Sequence, residues 1–232
     1  YNSVMVRSNL IIAGSNFIFD HINENYSDYI NKRKKLMVIF RGINLEYFSS
    51  NSVSDKQRNK LVEDWKLNTS LFTILLPGRL TEWKGQEMFI ESLNYLLENH
   101  NKQNFHAIIL GSDQGRKVYL KKLLNLSQRY RLNSKLSIID QTKDMPAAYM
   151  MADVVVSASI KPESFGRVAV ESQAMGKPII ASDIGGSKET ILKDKSGILF
   201  SSGNARELAL VLSKMMEEDK DSLINMGIEG RN

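Results

Sequence analysis

The sequence is expected to fold as an α/β protein, a parallel sheet with helices on both faces. Three observations carry this expectation. From Leu71 onward, six short apolar runs alternate with amphipathic segments at helical spacing. Most of those runs are apolar almost throughout rather than at every second residue, as in strands covered on both faces. Strands joined through helices are parallel with right-handed crossovers, and ligands of such sheets bind at the carboxyl ends of the strands. The loops after each strand are therefore the places to look.

Residues 1–48 read as the tail of a domain. Leu10–Ala13 is a short strand, and Ser15 caps a following helix with Phe17, Ile18, His21 and Ile22 on its apolar face. Leu36–Phe40 is a second strand, closed by a turn at Arg41-Gly42-Ile43-Asn44. Two strands and a helix bury too little surface to stand alone. Residues 49–70 read as a linker, polar over Ser49–Lys60 and passing into a helix near Leu61–Trp65. Residues 71–232 form the main domain. Its strands are expected at Phe72–Leu76, Phe105–Leu110, Lys135–Ile139, Asp153–Ser157, Pro178–Ala181 and Gly197–Phe200. Its helical segments are Gly85–Asn99, Gly115–Arg131, Met145–Met151, Gly166–Met175, Ser187–Leu192 and Ala205–Glu218. Asp144 is placed to cap the helix that opens at Pro146.

Composition excludes several classes. The 232 residues are 42% hydrophobic, which suits a globular core, and no apolar run reaches the roughly 18 residues of a membrane span. The chain has no cysteine, so disulfides and thiolate metal sites are excluded, and a reducing cytoplasm fits. His21, His100 and His106 lack metal-ligand spacing. The formal charge is +5, part of it in the run Asn31-Lys32-Arg33-Lys34-Lys35. That run is a solvated loop or a peripheral contact for an anionic membrane. Without interleaved aromatics it does not point to nucleic acid.

The first strand of the main domain ends in Pro77-Gly78-Arg79-Leu80, and Lys84-Gly85 opens the next helix. Gly78 allows close backbone approach. Lys84 at a helix N-terminus is electrostatically misplaced unless an anion joins it, and a phosphate would supply one. Solvated surface residues are the plain alternative. After the second strand comes Gly111-Ser112-Asp113-Gln114-Gly115, a weak phosphate-cradle pattern better read as a turn. Polar groups of Asp140–Lys143 follow the third strand. The fourth leads into Ser159–Glu171, where Glu163 stands before a helix start and Glu171 lies within it. Free N–H groups after Glu163 make an anion site, and Gly166 removes a Cβ from the approach. Glu171 offers two acceptors, which suits a vicinal diol such as that of ribose.

Together, Gly78-Arg79 with Lys84-Gly85 and the run S-x-x-P-E-x-F-G-x-V-x-x-E…G-x-P-I-I-A-S-D-x-G-G…E resemble the retaining GT-B glycosyltransferases of family 4. The resemblance covers Leu71–Phe200 and implies a Rossmann-like donor-binding domain preceded by the end of an N-terminal acceptor domain. Arg41–Asn44 with Phe48 looks like the crossover between the two. Carried across, Arg79 and Lys84 would clamp the diphosphate of a nucleotide-sugar donor, beside Gly78. Ser164, Phe165, Gly166 and Val168 would surround it with amides, Glu163 would take the hydroxyls of the transferred sugar, and Glu171 those of the ribose. No metal ion or cofactor is implied. The acceptor would be a carbohydrate or glycolipid, as in cell-surface polysaccharide or lipopolysaccharide synthesis. A nucleotide-binding module without turnover is the alternative. A dinucleotide oxidoreductase is disfavoured, because Gly78-Arg79-Leu80-Thr81 replaces its G-x-G-x-x-G.

Overall fold

The computed structural model describes residues 6–30 and 35–232. The basic run at 31–35 therefore falls, but for Lys35, outside the described residues. Eight strands and eight α-helices are described. The main sheet contains β3 (Phe72–Pro77), β4 (Phe105–Leu110), β5 (Leu136–Ile139), β6 (Val154–Ser157), β7 (Ile179–Ser182) and β8 (Gly197–Phe200). It is parallel throughout, in the order β5-β4-β3-β6-β7-β8. The chain winds outward from β3 to β5, then returns to the other side of β3 as β6. The loops after β3 and β6 thus leave neighbouring strands in opposite directions, which opens a crevice at the carboxyl edge.

Alternation along the strands divides the core between two faces. Ile74 and Leu76 of β3 face α3 (Gln86–His100) and α7 (Ala205–Met215) through Phe89, Leu93, Leu208 and Leu212. Leu75 faces the other way, onto Tyr149 of α5 (Met145–Met150) and Ala169 of α6 (Arg167–Ala174). All eight of these apolar side chains and Tyr149 are at most 2% exposed. Burial of each Leu, Ile and Phe among them is worth about 2 kcal/mol before conformational entropy is counted.

The first segment contains β1 (Leu10–Ala13), α1 (Asn16–Tyr26) and β2 (Lys35–Val38), with β1 and β2 paired in parallel. Ser15 caps α1, as expected, by accepting from the Ile18 amide at 3.2 Å. The chain stays irregular through Arg41–Asn44, and the turn falls at residues 45–47, where the Asn44 side chain accepts from the Glu46 and Tyr47 amides.

The polar stretch 49–70 differs from the expected linker. Ser50–Ser52 form a 3-10 turn, and α2 spans Asp55–Asp64, starting well before Leu61. Ser54 and Gln57 form a reciprocal capping box, the signal that composition concealed. Gln57 Nε2 also reaches the Asp144 carboxylate at 2.7 Å, which fastens α2 to the start of α5. Three further departures are local. Ser187–Leu192 does not form an α-helix; Gly186–Thr190 is a 3-10 turn, and Ile191 is already extended. α4 (Lys117–Arg129) begins two residues after Gly115. An unanticipated helix, α8 (Lys220–Arg231), is capped by Asp219 and lies against α6.

The two loops at the crevice are pinned together. The Ile160 amide donates to the Trp83 carbonyl at 2.8 Å. Gly85, at φ +74°, passes so close to Ala158 that a Cβ would stand 1.9 Å from its carbonyl oxygen. Gly85→Ala is expected to cost about 2–3 kcal/mol, through both the positive φ and the clash, as measured by urea unfolding.

Candidate donor site

Three loops meet at the crevice. Glu163 forms a β-bridge with Gly185, and its carbonyl accepts from the Gly186 amide at 2.8 Å, so the loop after β7 supports the loop after β6. Gly166 adopts φ +85° at the N-cap of α6, packed so closely that a Cβ would stand 2.7 Å from Ser187 Cα. A larger residue there would push α6 away from this support.

Lys84 and Glu163 form a salt bridge at 2.7 Å, with side chains 13% and 11% exposed. Ser159 Oγ donates to the same carboxylate oxygen of Glu163, and the Lys84 ammonium also lies 4.6 Å from the Trp83 ring centroid. The electrostatic misfit expected of Lys84 is thus answered within the chain, by a carboxylate from the next loop. This also corrects the reading of Lys84 as a solvated residue. Arg79 is exposed, and among the described residues its guanidinium has no ion-pair partner.

A cavity of about 380 Å³ opens beside this pair. Gly78, Arg79, Lys84, Val168 and Glu171 line it, as do the Gly111-Ser112 and Gln141-Thr142 loops. Ser164, Phe165 and Gly166 are not on its wall. Phe165 is buried toward a separate cleft beside Ile43 and Val170, and the Ser164 carbonyl accepts from Ser15 Oγ at 2.5 Å. Glu163 reaches the cavity through Lys84. The start of α6, with no side-chain cap, presents Arg167 and Val168 to it.

Glu171 is 9% exposed and already engaged. One oxygen accepts from Tyr149 Oη at 2.8 Å, the other from Arg167 Nη2 at 2.7 Å. Burial, then the Glu171 charge, pushes the Tyr149 phenol well above its ordinary range, so it remains a hydrogen-bond donor. Sequence reasoning overlooked both partners. Arg167 was findable as the i,i+4 partner of Glu171 on one helix face, whereas Tyr149 arrives from another helix and left no local signal. Each Glu171 oxygen retains a second lone-pair direction for a ligand hydroxyl.

The family model for glycosyl transferases group 1 matches residues 57–232. The crystal structure of a glycosyltransferase from Rickettsia africae superposes with a TM-score of 0.89 at 31% identity, covering 100% of this chain and 59% of the other. Anabaena HepE, in complex with UDP and glucose, superposes with a TM-score of 0.83 at 24% identity, covering 100% and 62%. A D-inositol 3-phosphate glycosyltransferase of Corynebacterium diphtheriae is 24% identical over 202 residues, 86% of this chain and 47% of its own. The chain spans about half the length of curated relatives that it matches.

Lys84→Met strands a buried carboxylate and is expected to lower stability by about 3 kcal/mol, with K84M/E163Q recovering most of the loss in urea titrations. Tyr149→Phe removes one donor from Glu171 and is expected to cost about 1–3 kcal/mol in the same measurement.

Proposed function

The chain belongs to the glycosyl transferases group 1 family, and from that premise we propose that its cavity binds the donor of a glycosyl transfer, a nucleoside diphospho-sugar. The observation that carries the reading is the grouping of Arg79, Lys84, the open start of α6 and Glu171 around one cavity at the sheet's switch point. Cations and amides suit the diphosphate. Glu171, held rigid by Tyr149 and Arg167, suits the ribose diol. Glu163, tied to Lys84 on the adjacent loop, suits the hydroxyls of the transferred sugar. A cavity of this size holds a nucleotide-sized ligand.

In the proposed transfer, the bond from the anomeric carbon to the diphosphate oxygen breaks, a bond to an acceptor hydroxyl oxygen forms with the same anomeric configuration, and the hydroxyl proton passes to the departing diphosphate. The diphosphate leaves with its electron pair, and its growing charge falls to Arg79, Lys84 and the α6 amides. These groups carry the neutralisation without a metal ion, so transfer is expected to persist in a chelator. The transferred sugar is a hexose and the acceptor a carbohydrate or glycolipid, in cell-surface glycan assembly on the cytoplasmic side of a membrane. Support for that setting includes the superposition on WaaG, a glycosyltransferase involved in lipopolysaccharide biosynthesis, at a TM-score of 0.78 and 16% identity. Among the described residues, no helix is long and apolar enough to cross a membrane.

Calorimetric titration with UDP, GDP and ADP is expected to show binding by at least one, weakened about 10- to 100-fold by Arg79→Ala. Glu163→Gln is expected to spare the bare diphosphate and weaken its sugar-bearing form. Binding by none of the three diphosphates sinks the reading. Binding with neither transfer nor donor hydrolysis favours the module without turnover.

A further inference from the structure

Helix α4 buries Tyr119, Leu123 and Ser127 and leaves a broad outer face. Lys117, Val118, Lys121, Lys122, Leu124 and Arg129 are exposed on it, and none of its 13 residues is acidic. Val118 is 87% exposed and Leu124 51%. At its N-terminal end the face runs into a cleft of about 740 Å³, where Trp83 and Ile160 meet Arg116 and Lys161. This cleft lies behind the 79–84 loop, separate from the donor cavity.

Two observations mark the cleft as more than a dent. α4 starts there with no side-chain cap and no acidic residue in its first turn, so its first N–H groups stay available. Thr81, on the wall, is 8% exposed, and its hydroxyl has no hydrogen-bond partner among the described residues. The nearby carboxylates are Asp113, Glu87, Glu82, Glu91 and Asp140. Asp113 pairs with Lys117 at 2.8 Å, Glu87 pairs with Lys122 at 2.7 Å, and Glu82 stands on the rim. Arg116, Lys121, Arg129 and Lys161 have no carboxylate partner among the described residues.

Single exposed apolar residues need no explanation. Here exposed Val118, Leu124 and Ile160 are interspersed with cations around an open helix start, the composition of a helix lying in an anionic membrane interface. A free phosphate ester would engage Arg116 and the helix start but leave the apolar residues in water. We propose that the outer face of α4 and its cleft dock the protein on an anionic phospholipid surface, phosphates at Arg116 and the start of α4, apolar side chains among the upper acyl segments. The inference stands on residues other than the 31–35 run and does not depend on donor binding.

Co-sedimentation tests it. The full chain is expected to bind vesicles containing phosphatidylglycerol, to ignore pure phosphatidylcholine, and to release in high salt. At about fivefold per cation, K117A/K121A/K122A should weaken partition on the order of 100-fold. V118S/L124S should also weaken it, with the circular-dichroism melt and UDP titration unchanged. Substituting Lys32, Arg33 and Lys34 should leave most binding intact. Equal binding to both lipids, α4 variants that bind like the parent, or loss on substituting 32–34 alone would each overturn the proposal. Complete displacement of the vesicles by millimolar glycerol 1-phosphate would reassign the cleft to a free phosphate ester.

Discussion

The salt bridge between Lys84 and Glu163 joins the two loops on which the crevice depends. A buried pair of this kind adds little net stability, because desolvating both charges offsets most of their attraction. Its effect is positional. It brings the carboxyl ends of β3 and β6 to one point, and the Ile160–Trp83 hydrogen bond holds them in register. A diphosphate entering the cavity would compete with Glu163 for the Lys84 ammonium. Glu163 would then turn its released acceptors to sugar hydroxyls, so one bond within the chain becomes two contacts to the ligand. Arg79, with no ion-pair partner among the described residues to give up, is the cation that would meet the ligand without that exchange.

Glu171 is governed by a different constraint. Its contact to Tyr149 reaches across the lower face of the sheet, where the Tyr149 ring meets Phe48 edge to face at 6.2 Å between centroids. Phe48 in turn meets Tyr47 edge to face at 4.9 Å between centroids, and its carbonyl accepts from Arg231 of α8 at 3.0 Å. The residue assigned to the ribose therefore rests on a chain of contacts that includes the crossover segment and the last helix. Both lie far from it in sequence, and neither is on the cavity wall.

These contacts explain what was legible in the sequence and what was not. The parallel sheet could be read because its strands are nearly uniform in hydrophobicity, and the residues of the crevice followed because loops after such strands share one edge. Arg79, Lys84 and Glu171 lie on one cavity for that reason alone. Polar segments were harder. The capping box of Ser54 and Gln57 starts a helix whose composition resembles a linker, and α8 carries too weak an apolar stripe to stand out. Phe165 shows a third limit. The chain position of a side chain in a binding loop does not say which way it points, and here it faces a separate cleft beside Ile43 and Val170 while Val168, three residues on, lines the cavity.

The first segment is tied to the same loops. Glu189 accepts from the Asn16 and Phe17 amides at 2.8 and 2.6 Å, which supplies the anion that the first turn of α1 lacks. Ser15 reaches the Ser164 carbonyl beside it. Both anchors belong to strips that are themselves locked together, Ser187 against Gly166 and the Gly186 amide on the Glu163 carbonyl. A shift of α1 would therefore pass toward Glu163 through the Ser15 hydroxyl on the Ser164 carbonyl and the Glu189 carboxylate on the first amides of α1. Movement of whatever part of the molecule α1 belongs to and the position of the carboxylate assigned to the sugar are, in this architecture, mechanically one question.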